Sequence, residues 1–285
     1  MFQPDLLKGK RILVTGGGTG LGRSMTQRYL ELGANVVICG RREDVLKETA
    51  AELAKETGGE IETVTCDVRV PDAVEAMMDT IWAKRPLDIL VNNAAGQILA
   101  QTHKMSSRAI DAVLGIVLYG SAYCTVAAGR RWIDAGERNK VVMSILTVSS
   151  LTGAPFTVPS AMSKAGIDAM TKSLAVEWAT RGVRVNAIAP GYMATDNTAQ
   201  LRADEERHRE ILARIPAGRW GSGGAERRRR LGGRRRWRRR RRGGLRRSGQ
   251  RGRRRPPSTT RRPRGGWCAG RRGRRRAQRR PGGRG

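Results

Sequence analysis

Histidine is nearly missing from this chain: His103 and His208 are the only two in 285 residues, and they stand far apart. Cysteine is scarce as well. Of the chain's four, Cys39, Cys66 and Cys124 lie within residues 1–220 and show no CxxC spacing and no histidine beside them, which argues against a metal centre or a disulfide framework. They read as small apolar fillers in a reducing compartment. The opening MFQPDLLKGKR lacks the apolar core of a signal peptide and the Arg/Ser-rich pattern of a transit peptide. The longest uncharged run, AVLGIVLYGSAYCTVAAG (112–129), is rich in small and polar residues and stops at Arg130-Arg131. A spanning helix needs about 20 mostly apolar residues, so the expectation is a buried or interface helix, no membrane, and a cytoplasmic location.

The last 65 residues lack Ile, Val, Phe, Tyr, Asn, Lys and Met altogether. Gly221–Gly285 holds 29 arginines, 16 glycines and 4 prolines against one acid, Glu226, and so carries +28 of the chain's net +31. Residues 1–220 hold 27 basic and 24 acidic residues, the balance of an ordinary near-neutral protein. A segment so poor in apolar groups cannot bury a core, and disorder is expected from 221 onward. Two readings compete for it. Arginines with Trp237 and Trp267 suit a nucleic-acid-binding tail, neutralising phosphates and stacking on bases. The alternative, which we favour, is a frameshift in GC-rich DNA, because the residues present are written in GC-rich codons and the missing ones mostly need AT-rich codons. Nucleic acid is a partner only if the tail is genuine.

Within 1–220, short apolar runs alternate with helical patterns. Strands are expected at 11–15, 35–39, 62–66, 87–92, 141–149 and 183–190, with helices at 21–32, 43–55, 71–84, through 112–129, and at 160–180. Alternation of this kind implies an α/β fold with a doubly wound parallel sheet covered on both faces.

The first strand-to-helix turn reads TGGGTGLG (15–22). Gly16, Gly20 and Gly22, with Thr19 and Leu21 between them, let the backbone approach a pyrophosphate at a helix N-terminus. The second strand then ends in CGRRED, where a carboxylate would bind a ribose 2′-hydroxyl. Arg41 and Arg42 stand there instead and suit a 2′-phosphate, so NADPH (NADP) is the expected cofactor.

With TGGGTGLG, CDV (66–68), NNAAG (92–96) and IAPGYMAT (188–195) in order, residues 8–221 resemble the short-chain dehydrogenase/reductase superfamily. The resemblance implies a Rossmann domain of seven strands, assembled as a homodimer or homotetramer through the helices after strands four and five. It also implies cofactor contacts from Asp67, Val68, Asn93, Ala94, Pro190, Gly191 and Thr195, with Asp67 on the adenine amine. In those relatives the text after IPAGRWG supplies a last strand, which the arginine-rich segment replaces here.

The superfamily's usual active site is Asn, Ser, Tyr and Lys, the last two spaced YxxxK. Lys164 stands at the lysine place, Ser160 replaces the tyrosine, and Tyr119 corresponds to the asparagine. Within the superfamily, VPSAMSKAGIDAM and SLAVEW most resemble the 2,4-dienoyl-CoA reductases. Mitochondrial-type members keep a tyrosine fifteen residues before the lysine, here Ser149; peroxisomal-type members use a lysine with an aspartate four residues later, here Lys164 and Asp168. Positions i and i+4 share one helix face, so an aspartate there relays a proton or forms a plain ion pair. Ser149, taken as the end of strand five, is the first choice as hydrogen-bond donor, before Ser150 or Tyr119. The implied function is NADPH-dependent reduction of a 2,4-dienoyl-CoA or related acyl-CoA-type substrate. The alternatives are a carbonyl or alcohol oxidoreductase, and an inactive reductase scaffold carrying a nucleic-acid-binding tail.

Overall fold

The computed structural model describes residues 2–3, 5–195 and 198–222. Six parallel strands form one sheet: β1 (Arg11–Thr15), β2 (Asn35–Gly40), β3 (Ile61–Thr65), β4 (Ile89–Asn92), β5 (Lys140–Ile145) and β6 (Val183–Ile188). Their order is β3-β2-β1-β4-β5-β6, so the winding reverses between β1 and β4. A ligand crevice opens at such a reversal, outside the carboxyl ends of the strands.

The helices are α1 (Gly20–Glu31), α2 (Glu43–Thr57), α3 (Pro71–Lys84), α4 (Ser107–Leu114), α5 (Gly120–Asp134), α6 (Ser149–Thr152) and α7 (Val158–Glu177). A π-helical turn, Gly115–Tyr119, joins α4 to α5. Side chains alternate across the sheet. Ile12, Val14, Val36 and Ile38 pack under Leu30 of α1 and Leu46 and Leu53 of α2. Leu13, Val37, Leu90 and Val142 face the other way, onto Met78 and Ile81 of α3 and Ala128 and Trp132 of α5. Every residue of β1 is buried, as a central strand covered on both faces requires. Cys39, Cys66 and Cys124 are free thiols buried in this core; burial raises the Cys66 thiol to about 11.

Beyond shifts of one to three residues at other element ends, the structure departs from the sequence reading in three places. β5 stops at Ile145 rather than 149, because Ser150 turns its amide and its hydroxyl back to the Thr147 carbonyl, at 3.2 and 2.7 Å. Such local hydroxyl bonds compete with the strand ladder, and Ser149 opens the short helix α6 instead of ending a strand. The helix after β4 is longer than 112–129: Ser107–Asp134 is long and apolar enough to cross a membrane, yet half of its apolar window is buried within the fold. A small parallel pair, β7 (Met193–Ala194) and β8 (Gly221–Ser222), had no sequence signal. Between these strands lie α8 (Ala199–Ala203) and α9 (Glu205–Ala213). Trp220 holds the pair in place, its ring edge-on to Tyr192 at 5.4 Å. Among the described residues the main sheet ends on β6. The expectations of disorder, frameshift or nucleic-acid binding begin at 221; Gly221–Ser222 are ordered as β8 instead, paired with Met193–Ala194, and the remainder, 223–285, lies outside the described residues.

At the amino-terminal end of the central strand β1, Arg11 is 2% exposed. Its guanidinium donates to the carbonyls of Ile81 (2.7 Å) and Arg85 at the end of α3, and to Glu62 Oε1 at 2.8 Å. Arg11→Met keeps the stem and removes those donors. Loss of one partner of a buried pair costs about 3–5 kcal/mol. Glu62 is 35% exposed and keeps Lys84, which places the expected loss near the lower figure. Urea denaturation checks it; a loss below about 1 kcal/mol would mean the helix end needs no cap from Arg11.

Candidate active site

The crevice begins at the glycine turn after β1. Gly16 has φ 64°, a left-handed backbone open to glycine at little cost. Gly22 lies so close to that turn that a Cβ on it would collide with the Gly16 carbonyl and lie 2.7 Å from Asn93 Nδ2. α1 starts at Thr19 with no side-chain cap and no acid in its first turn. Its free N–H groups and positive dipole end therefore suit an anion. Leu21 lies within that first turn, and Thr195 faces it from across the crevice, its Cβ 4.0 Å from where a Cβ on Gly20 would lie. Thr195 is itself fixed by Thr198 and by Arg202, whose guanidinium donates to its carbonyl at 3.1 Å.

From β4, Asn93 and Ala94 close the turn. Their amides both donate to Thr15 Oγ1 at 3.0 Å, and Asn93 Nδ2 reaches the carbonyls of Thr15 (2.9 Å) and Gly16 (3.2 Å). Asn93 thus builds the site from below. Beside the turn opens a cleft of about 300 Å³, walled by Thr19, Arg41, Arg42, Asp67, Val68 and Ala94 among others. Arg41 and Arg42 are exposed, and neither is held by a hydrogen bond or ion pair among the described residues. Two free guanidiniums, an uncapped helix start and an open cleft fit a dinucleotide with an additional phosphate. Val68 packs against Gly120 at the foot of α5, where a Cβ would lie 2.6 Å from its Cγ2.

At the carboxyl end of β5, Lys164 of α7 is 5% exposed and its ammonium donates to the Ile145 carbonyl. Burial lowers its pKa from the usual 10.5 to about 8. Ser149 lies just beyond the same strand end, its hydroxyl 3.1 Å from Thr147 Oγ1. Pro190 approaches this loop, accepting from the Val148 amide at 3.4 Å, and Gly191 follows with open space around it.

Two expected participants lie elsewhere. Asp168 is engaged by Lys172 Nζ at 2.6 Å rather than by Lys164. Both lysines are one turn away, but the Lys164 ammonium is buried on a carbonyl while Lys172 is 74% exposed, so the carboxylate goes to the solvated partner. Tyr119 ends the π-helical turn, is 49% exposed and stacks on Tyr123 at 6.3 Å. The other tyrosines are on α1 (Tyr29) and against Trp220 (Tyr192), so no phenol hydrogen-bonds to Lys164. Sequence reasoning missed Thr15, Thr147 and Arg69. Thr15 and Thr147 had a signal, a hydroxyl at or just past a strand's carboxyl end; Arg69 had none beyond following CDV.

The family described as short chain dehydrogenase matches residues 10–206. A protein of Caenorhabditis elegans assigned as a 2,4-dienoyl-CoA reductase is 44% identical over 232 residues, covering 78% of this chain and 73% of its own. The 2-dehydro-3-deoxy-D-gluconate 5-dehydrogenase of Escherichia coli is 39% identical over 220 residues, 75% of this chain and 84% of that one. A crystal structure from Beutenbergia cavernae, assigned as an NAD(P)-dependent gluconate 5-dehydrogenase with NADP at low occupancy, superposes with TM-score 0.73 at 38% identity, covering 78% and 87% of the two chains. The crevice at the β1–β4 reversal, its uncapped phosphate turn and the buried lysine beyond β5 are thus found in a chain that belongs to the short chain dehydrogenase family.

Proposed function

We propose that this protein is an NADPH-dependent reductase of a conjugated enoyl thioester, of the 2,4-dienoyl-CoA type. Its cofactor is NADP(H): the similar B. cavernae structure carries NADP, and the cleft offers Arg41 and Arg42 where a carboxylate would reject a 2′-phosphate. The observation that carries the substrate class is the buried Lys164 with a serine, Ser160, one turn before it and no phenol in hydrogen-bond contact. Oxidising an alcohol requires a base for its proton, whereas reducing a conjugated thioester requires stabilisation of negative charge on the thioester oxygen.

When bound, NADPH supplies the hydride that C5 of the dienoyl thioester accepts. The chain's own residues do the rest. The Lys164 ammonium and the Ser149 hydroxyl, both past the end of β5, provide positive charge and an O–H donor for the developing dienolate. Thr147 orients Ser149 by accepting or donating the bond between the two hydroxyls. A lysine whose pKa is about 8 is also a workable proton source at neutral pH. Asp168 serves in this reading as the surface partner of Lys172.

Members of the family are typically oligomeric. Tyr119 and Val126 on the π turn and α5, with Met162 and Val176 on α7, are 49%, 48%, 46% and 80% exposed, and support a homodimer or homotetramer through these helices. The gluconate-type relatives favour a second reading, oxidation of a sugar acid.

The deciding assay follows NADPH consumption with a 2,4-dienoyl-CoA against NADP reduction with a gluconate-type sugar acid. We expect kcat/KM to favour the thioester by about 100-fold or more, the low end of what a missing general base costs; sugar-acid turnover at equal efficiency would overturn the proposal. The same assay run against pH tests Lys164. Since burial lowers its pKa, the active ammonium is lost as pH rises through about 8, and kcat/KM should fall there rather than near 10.5; Lys164→Met should remove that limb with nearly all of the rate. Asp168→Asn should leave kcat within about twofold and cost a few tenths of a kcal/mol in thermal stability, the value of an exposed i,i+4 pair. A large loss of rate would reinstate Asp168 as a proton relay.

A further inference from the structure

Asp67 is the only acid among the residues lining the cleft, and its carboxylate is already taken. Arg69 Nε lies 2.9 Å from Oδ1 and 3.0 Å from Oδ2, Nη2 lies 2.5 Å from Oδ2, and the Arg69 backbone amide donates to Oδ1 at 3.1 Å. The Asp67 carbonyl accepts from Val70 at 3.0 Å, closing the turn that presents both residues. The arginine stem is held too. Its Cγ and Cδ run past Gly115 at the start of the π turn, 3.6 Å from where a Cβ would lie.

We propose that Arg69 is a positioning residue for dinucleotide choice: it holds Asp67 as a neutralised, oriented pair, so that this carboxylate does not offset the positive charge that Arg41 and Arg42 offer a 2′-phosphate. The proposal rests on the NADP(H) reading above and adds a residue to it. Without Arg69, Arg41 and Arg42 would share the cleft with an uncompensated carboxylate. A phosphomonoester brings a charge of about −1.5 to −2, so a bare Asp67 repels it far more than it repels a 2′-hydroxyl. With Arg69 in place, the cleft lining and its clamp sum to three guanidiniums against one carboxylate. Arg69 also keeps the Asp67 carboxyl below the usual carboxylate range, chiefly through its side-chain hydrogen bonds, with Arg41 adding a smaller share. The carboxylate is ionised at neutral pH, and its compensation by a fixed cation limits its repulsion of a second anion.

The test is equilibrium binding of NADPH and NADH to the full chain, by calorimetry, for the wild type, Arg69→Ala, Asp67→Asn, the Arg69→Ala/Asp67→Asn double variant and Arg41→Ala. The pair is on the surface, and unchanged circular dichroism confirms folding. We expect Arg69→Ala to reduce the NADPH-over-NADH preference about tenfold, Asp67→Asn to preserve it, and the double variant to regain it, since neutralising Asp67 removes the charge that Arg69 compensates. An unchanged preference in Arg69→Ala, or no recovery in the double variant, overturns the proposal. A wild type that binds both dinucleotides equally, with Arg41→Ala also unchanged, overturns the NADP(H) reading itself and the proposal with it.

Discussion

The hydroxyl of Thr15 is the point on which the site depends. It is 2% exposed, points to the Val91 carbonyl at 3.4 Å and accepts the amides of Asn93 and Ala94 at 3.0 Å each. One side-chain oxygen thereby ties the carboxyl ends of β1 and β4 where the winding reverses, and a reversal left untied would part into two loops. Because the tie is made, Asn93 can reach under the glycine turn, and Gly22 can approach Gly16 closely enough for α1 to start at the crevice floor. The phosphate site is a consequence of strand-end chemistry, and the glycines only remove what would obstruct it.

Much of this was legible in the sequence because it is local. Buried parallel strands are short β-branched runs, and β1, β2 and β6 begin where those runs begin. Glycine and arginine positions around the turn carry their meaning through spacing from a strand end. The failures are tertiary. VVMSILTVS reads as one strand, yet the Ser and Thr hydroxyls beyond Ile145 satisfy the backbone locally and bend the chain into α6. Asp168 has a lysine four residues to either side, and tertiary packing decides between them: the Lys164 ammonium is buried on the Ile145 carbonyl, and the carboxylate pairs with Lys172 at the surface. Tyr119 aligns with a catalytic asparagine by position, while its ring stacks on Tyr123 at the surface.

Replacing a phenol by hydroxyls changes which chemistry the site can support. A tyrosine beside a lysine forms a base; a serine paired with a threonine at 3.1 Å cannot, since its proton leaves only at very high pH. What remains is a donor and a cation at the end of β5, an arrangement suited to charge that appears on a carbonyl oxygen. Desolvation of Lys164 strengthens the fit, because a cation shielded from water acts on such charge at low effective dielectric.

The π-helical turn Gly115–Tyr119 joins the two halves of that chemistry. Gly115 gives room to the Arg69 stem, and Ile116 lines the dinucleotide cleft. Val117 packs with Ile167 of α7 in a third apolar cluster, and Leu118 fits where a Cβ on Gly166 would lie 2.8 Å from its Cδ1. Four consecutive residues thus touch the adenosine end of the cleft on one side and the helix that carries Lys164 on the other. The π turn is therefore the piece of backbone that both the cleft and the helix carrying Lys164 touch.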